Sequence, residues 1–190
     1  MKKKLVLFAS GSGSNAENVS EYFSNHSKVE VVALFCNNPK AGVIEKMNAR
    51  QIPVIVFNRE AFKNEDEFLS KLNEFKPDLI ALLGFLWKVP NYMVEHFPNK
   101  IINLHPALLP KFGGKGMYGH HVHEAVKEAG EKETGITLHW VNSHYDEGET
   151  IAQFTCGLNE SDTVESIAAK IHLLEQKHVP LVVESILVQN

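Results

Sequence analysis

The chain has 190 residues, 44% of them hydrophobic and 22% charged, with a formal net charge of −4. That length suits one folded domain with its own core, and the slight acidity excludes wholesale attraction to nucleic acid or an anionic membrane. Met1-Lys2-Lys3-Lys4 precedes an apolar run, Leu5 to Ala9, too short for a signal-peptide core, so a cytoplasmic protein without a membrane span is expected.

Leu5–Ala9 reads as a short buried strand, Gly11-Ser12-Gly13-Ser14-Asn15 as a tight turn, and the stretch to about Ser24 as a helix. Val31–Cys36 is a second strand, Ala41–Arg50 a helix with Ile44 and Met47 on one face, and Val54–Phe57 a third, shorter strand. Glu65–Phe75 carries Phe68, Leu69, Leu72 and Phe75 at helical spacing. Leu79–Leu83 is apolar throughout, as in a strand covered on both faces. A short helix over Asn91–Phe97 and a strand over Ile101–His105 complete this half. The alternation predicts an α/β fold with a doubly wound, mostly parallel central sheet, Rossmann-like in plan.

The second half differs. Thr134–Val141 alternates as an antiparallel or edge strand does, and Thr150–Cys156 reads as its partner. Thr163–His178 places Val164, Ile167, Ile171 and Leu174 on one helical stripe. Pro180 is expected to begin a new turn or to kink this helix before the apolar Leu181–Val188 tail. No repeat or linker interrupts the chain, so residues 1–190 are expected to form a single domain. Cys36 and Cys156 lie in strand-like segments without metal-ligand spacing, and two buried thiols are expected.

Gly11-Ser12-Gly13-Ser14-Asn15-Ala16 fits the loose dinucleotide fingerprint. That fingerprint also requires an acidic residue about twenty positions on, where this chain has Phe35-Cys36-Asn37-Asn38. The turn is instead rich in hydroxyl and amide donors at a helix N-terminus, which suits a single phosphate monoester. The alternative is a turn in which Ser14 or Asn15 only caps the helix.

Asn103-Leu104-His105-Pro106 ends a buried strand, with Leu108-Leu109-Pro110 behind it. Strand periodicity sends Asn103 and His105 to the same face. An amide donor beside an imidazole suits a reaction through a tetrahedral intermediate with a developing oxyanion. A carboxylate to orient the imidazole is available in the polar turn His144-Tyr145-Asp146-Glu147-Gly148-Glu149, where spacing does not choose among Asp146, Glu147 and Glu149. His120, His121, His123 and Glu124 read as a polar helix start rather than a metal site. His139 alternates within its strand as a core histidine would.

Together these residues resemble the phosphoribosylglycinamide formyltransferase family, over essentially the whole length. The likeness rests on Gly11-Ser12-Gly13-Ser14-Asn15, on Pro77-Asp78 leading to Gly84-Phe85, and on Asn103-Leu104-His105-Pro106 with Leu108-Leu109-Pro110-Lys111. It extends to Gly135-Ile136-Thr137 before His139 and to Asp146 with Gly148. The resemblance implies transfer of a formyl group from 10-formyltetrahydrofolate to the amine of 5-phosphoribosylglycinamide, in purine biosynthesis. It implies small-molecule partners, no nucleic acid, no membrane and no metal, in a monomer or homodimer.

The resemblance further implies that Gly13, Ser14 and Asn15 hold the substrate phosphate and that Glu175 touches the same substrate. Asn103 would bond the formyl oxygen, His105 carry the proton, and Asp146 hold His105 and raise its pKa. Leu86, Trp87, Lys88 and Val89 match the stretch that lines the folate pocket. Family members often carry an arginine where Trp87 stands, and the loop Gly113–Gly119 is longer than usual, its glycines suggesting a mobile lid. The competing readings are a non-catalytic phosphometabolite-binding module on the same scaffold and another folate-dependent formyltransferase or hydrolase. A transfer-RNA formyltransferase normally has a basic C-terminal domain and a formyltetrahydrofolate hydrolase an N-terminal regulatory one, neither of which is expected here.

Overall fold

The computed structural model describes residues 1–188. The amino-terminal part runs β1 (Lys3–Ala9), α1 (Ser14–Phe23), β2 (Val29–Cys36), α2 (Val43–Ala49), β3 (Val54–Val56), α3 (Arg59–Lys63) and α4 (Glu65–Asn73). There follow β4 (Leu79–Leu82), α5 (Asn91–His96), β5 (Ile101–His105), α6 (His120–Glu128), β6 (Glu133–Trp140), β7 (Thr150–Gly157) and α7 (Val164–Val188). Among the described residues the strands form one sheet in the order β3-β2-β1-β4-β5-β6-β7. The ladders from β3 to β5 are parallel, and β5–β6 and β6–β7 are antiparallel.

Period-two alternation divides the core between the two faces of this sheet. Leu5, Leu7 and Ala9 pack with Val19 of α1, Met47 of α2 and Ile171 of α7, whereas Val6 and Phe8 pack with Phe62, Phe68 and Met93 from α3, α4 and α5. The second face is strongly aromatic. Phe8 stacks on Phe35 at 5.0 Å between centroids and meets Phe85 edge-on at 5.3 Å, while Phe68 lies 4.9 Å from Phe62 and 5.0 Å from Phe57. Asp78 has a structural task in the Pro77-Asp78 motif: its carboxylate accepts from the Lys4 N–H at 2.8 Å.

The connection after β3 carries the chain past β1 to its other side, where β4 pairs. Such a reversal leaves a crevice at the carboxyl ends of the strands on either side of it. That crevice is where the polar motifs gather.

The antiparallel reading of Thr134–Val141 holds: β6 lies between β5 and β7, antiparallel to both, and is buried along almost its whole length. Three local expectations are corrected. Arg59–Lys63 forms the separate helix α3, capped by the Asn58 side chain accepting from the Ala61 N–H at 2.9 Å. Pro180 begins no new turn, because α7 continues through it to Val188 with Pro180 itself buried. Cys36 is buried but Cys156 only partly so, and both thiols are free.

The aromatic face makes Phe8 a sensitive position, since it lies at 0% exposure with four ring neighbours. Phe8→Ala is expected to lower unfolding free energy by about 3–5 kcal/mol, read from the shift in urea midpoint at an unchanged slope.

Candidate active site

A cleft of about 610 Å³ lies across the carboxyl ends of β4 and β5 and reaches the start of α1. Its floor is polar. Asn103 and His139 face each other directly across the antiparallel β5–β6 ladder, and His105 faces Thr137 two residues on. Directly opposed residues share a sheet face, so the two histidines and the amide point the same way. Asp146 arrives from the β6–β7 connection, with its backbone in the left-handed region at φ 54°, where aspartate is one of the few tolerated residues.

The Asn103 Nδ2 lies 3.1 Å from His139 Nε2 and 3.3 Å from Asp146 Oδ1. His105 Nε2 donates to the Phe112 carbonyl at 2.8 Å, and its Nδ1 lies 3.7 Å from Asp146 Oδ2. Oδ2 also accepts from the Gly114 N–H at 2.9 Å. All three catalytic candidates therefore converge, and the choice among the turn carboxylates falls on Asp146. Glu147 and Glu149 are exposed.

Asp146 faces His105 and pulls its pKa upward as expected, but the net direction is reversed. The carboxylate is hydrogen-bonded to Gly114 and Asn103, and its approach to His105 is looser. Burial pushes the His105 imidazole below its ordinary value, outweighing the upward pull of Asp146 and of the Phe112 carbonyl. The cause is desolvation of a ring only 3% exposed. For Asp146, burial alone would raise the carboxyl, but His139, the Gly114 amide and His105 together hold it below the usual carboxylate range. A neutral imidazole beside an anionic carboxylate is the resting arrangement.

Thr137 explains the Leu108-Leu109-Pro110 element. Its hydroxyl donates to the Ala107 carbonyl at 2.6 Å and accepts from the Leu109 N–H at 3.1 Å and Gln153 Nε2 at 2.9 Å. The segment leaving β5 is thereby fixed against β6 and β7.

At the α1 end, Gly13 occupies the N-cap position at φ 72°, and no side chain caps the helix. A Cβ there would collide with Val43 of α2, so both backbone and packing require glycine. Asn15 does not cap either: its Nδ2 donates to Glu175 Oε2 at 2.9 Å, and its Oδ1 accepts from Gln176 Nε2 at 3.1 Å. Asn15 and Glu175 thus form one unit on the cleft wall, whereas Gly13 and Ser14 are not among the lining residues. Burial pushes the Glu175 carboxyl up despite the Asn15 hydrogen bond and nearby His172.

Leu86, Trp87, Lys88 and Val89 all line the cleft. The Leu86 N–H donates to Ser10 Oγ at 3.0 Å, tying this segment to the end of β1. Trp87 packs among Phe57, Phe62 and Phe85. The guanidinium of Arg59 lies 4.6 Å over its ring, so a cation reaches this point from α3 although residue 87 is neutral. Loop residues Gly114 to Gly119 line the cleft as well. His120 and His121 are exposed and both reach Glu124, at 3.4 and 3.2 Å, while His123 is buried in the cleft wall with no partner for its Nδ1.

Sequence reasoning missed the working position of His139. Its place opposite Asn103 depends on strand register, which spacing does not encode. It also missed Arg59, which belongs to a helix too short to show a period.

Glu175 yields a pH test. A carboxyl whose folded pKa is raised contributes stability below its unfolded value and loses that contribution as pH rises through the folded value. Glu175→Gln is therefore expected to raise the melting temperature of the ligand-free protein by a few degrees at pH 8. The gain should shrink toward nothing as pH falls into the ordinary carboxylate range.

Comparison with known proteins places this geometry. Residues 3–183 match the formyl transferase family model. Phosphoribosylglycinamide formyltransferase of Bacillus subtilis is 35% identical over 193 aligned residues, covering 99% of this chain and 96% of that protein. The chloroplastic phosphoribosylglycinamide formyltransferase of Arabidopsis thaliana is 39% identical over 93% of this chain, which spans only 62% of the plant protein's length. The crystal structure of phosphoribosylglycinamide formyltransferase from Anaplasma phagocytophilum superposes with a TM-score of 0.90 at 32% identity, covering 100% of this chain and 89% of that one. With the family model matched from β1 into α7 and relatives aligned along nearly all of its length, the chain belongs to the formyl transferase family.

Proposed function

We propose that the protein transfers the formyl group of 10-formyltetrahydrofolate to the amine of 5-phosphoribosylglycinamide, a step in purine biosynthesis. The observation that carries this reading is the convergence of Asn103, His105 and Asp146 at one end of a cleft whose other end holds the Asn15–Glu175 unit. The names of its relatives supply the substrate. The first turn of α1 takes the phosphate with its free backbone donors, Glu175 accepts from the sugar, and the Leu86–Val89 segment receives the folate. The protein works on small molecules as a single domain, in the cytoplasm, as a monomer or homodimer.

In the proposed reaction the neutral amine attacks the formyl carbon. A carbon–nitrogen bond forms as the carbonyl electron pair moves onto oxygen, and an Asn103 N–H meets the oxyanion. The contact between His105 Nε2 and a carbonyl requires hydrogen on that nitrogen, so the neutral ring has its lone pair on Nδ1, facing Asp146. A proton leaving the attacking nitrogen is received at Nδ1 and stabilised by the carboxylate. It is then passed to the folate nitrogen as the second carbon–nitrogen bond breaks. Holding both substrates in one cleft removes most of the entropic cost of bringing them together.

His105→Ala and Asp146→Asn are each expected to lower the transfer rate at least about a hundredfold with unchanged circular dichroism. Near-normal turnover in either would remove that residue from the mechanism. In the wild-type protein kcat should fall as pH drops through the His105 transition, with a midpoint below the ordinary histidine value. In Asp146→Asn the residual activity should show that midpoint moved lower still, because the carboxylate's upward pull is gone.

The function itself is tested by incubating the protein with 10-formyltetrahydrofolate, with and without the glycinamide ribonucleotide, and following folate deformylation. Loss of formyl only with the amine present is the expected result. Loss without it points to hydrolysis, and no loss in either case to a binding module.

A further inference from the structure

A primary amide has two donors on one side and an acceptor on the other, and half a turn about its last torsion exchanges them. For Asn103 to meet an oxyanion it must present nitrogen, because its oxygen would repel the developing charge. Asp146 fixes this polarity only in part. Its contact with Asn103, at 3.3 Å, is the longer of the two at the amide nitrogen, and the same carboxylate serves Gly114 and faces His105.

His139 supplies the second restraint. Its Nδ1 lies 3.0 Å from the Trp140 carbonyl oxygen, a contact that places the ring hydrogen on Nδ1 and leaves a lone pair on Nε2. Nε2 is 3.1 Å from Asn103 Nδ2 and 3.6 Å from Asp146 Oδ1, and in the tautomer with hydrogen on Nδ1 it accepts from Asn103 at the shorter contact. The ring is 2% exposed, so water does not compete for that lone pair. Trp140 is held in turn: its N–H donates to the Glu149 carbonyl at 2.9 Å. Gly148 packs so closely on its carbonyl oxygen that a Cβ there would collide with it. The segment that delivers Asp146 thus also fixes the tautomer of His139.

We infer that His139 is a positioning residue that sets the polarity of the Asn103 amide. It holds one N–H, which leaves the other to meet the formyl oxygen. The inference rests on the proposed formyl transfer and adds to it a residue that acts through Asn103.

Two substitutions separate this role from mere packing. His139→Asn keeps a short amide able to donate to the Trp140 carbonyl but too short to reach Asn103. His139→Gln places an amide oxygen near the former Nε2 and retains the acceptor. His139→Asn is expected to lower kcat about tenfold or more, with KM for both substrates within about threefold of wild type. His139→Gln should recover most of that loss. In an Asn103→Ala background, His139→Asn should cause no further loss, since nothing remains to be positioned.

Wild-type kcat in His139→Asn, or an undiminished further loss in the Asn103→Ala background, would overturn the inference. So would equal impairment in the Asn and Gln variants with matching falls in melting temperature, which marks a packing role. Failure of the wild-type protein to transfer formyl at all would instead bring down the functional reading. An active wild type with an indifferent His139 brings down this inference alone.

Discussion

Asn103 pairs with His139 and His105 with Thr137 across the β5–β6 ladder, and most polar contacts in the cleft follow from that register. A shift of one residue would send every one of these side chains to the opposite face. The register is held from both sides. β5 pairs with β4 in the parallel part of the sheet, and β6 is fully engaged with β7. The reactive end of the cleft is thus mounted on interior strands, and only the carboxylate and the loop come from irregular chain.

The electrostatics of the floor rest on removal of water. A half-solvated histidine and aspartate at 3.7 Å would form an ordinary ion pair of small consequence. Here the imidazole is sealed, so its neutral form is favoured until a proton arrives from within the cleft. The carboxylate keeps its charge because His139, the Gly114 N–H and His105 compensate for the water it lost. These opposite responses to one environment give two neighbouring groups distinct tasks.

Much of this was legible in the amino-acid order. Runs such as Leu5–Ala9 and Leu79–Leu83 announced buried parallel strands, and Asn103 and His105 were assigned to one face by periodicity alone. Spacing did not choose Asp146 among the three carboxylates of its turn; the family resemblance did. The net protonation preference of His105 was not legible, because the sequence shows a partner but not the loss of solvent that outweighs it. Pro180 misled for a related reason: a proline removes one backbone donor, but a long buried helix packed against the sheet continues past that local deficit. Thr134–Val141 read as an antiparallel or edge strand, and it is antiparallel; its alternation carried no information about which strand lay beyond it.

The hydrogen bond from the Gly114 amide to Asp146 ties the glycine loop to the charge it covers. An ionised carboxylate binds such an amide more strongly than a neutral acid does. Linkage then runs in both directions: the bound loop favours the anion, and the anion favours the bound loop. A proton landing on Asp146 would slacken the loop's hold on the cleft, so the placing of that loop and the negative charge beneath it are a single equilibrium viewed from two ends.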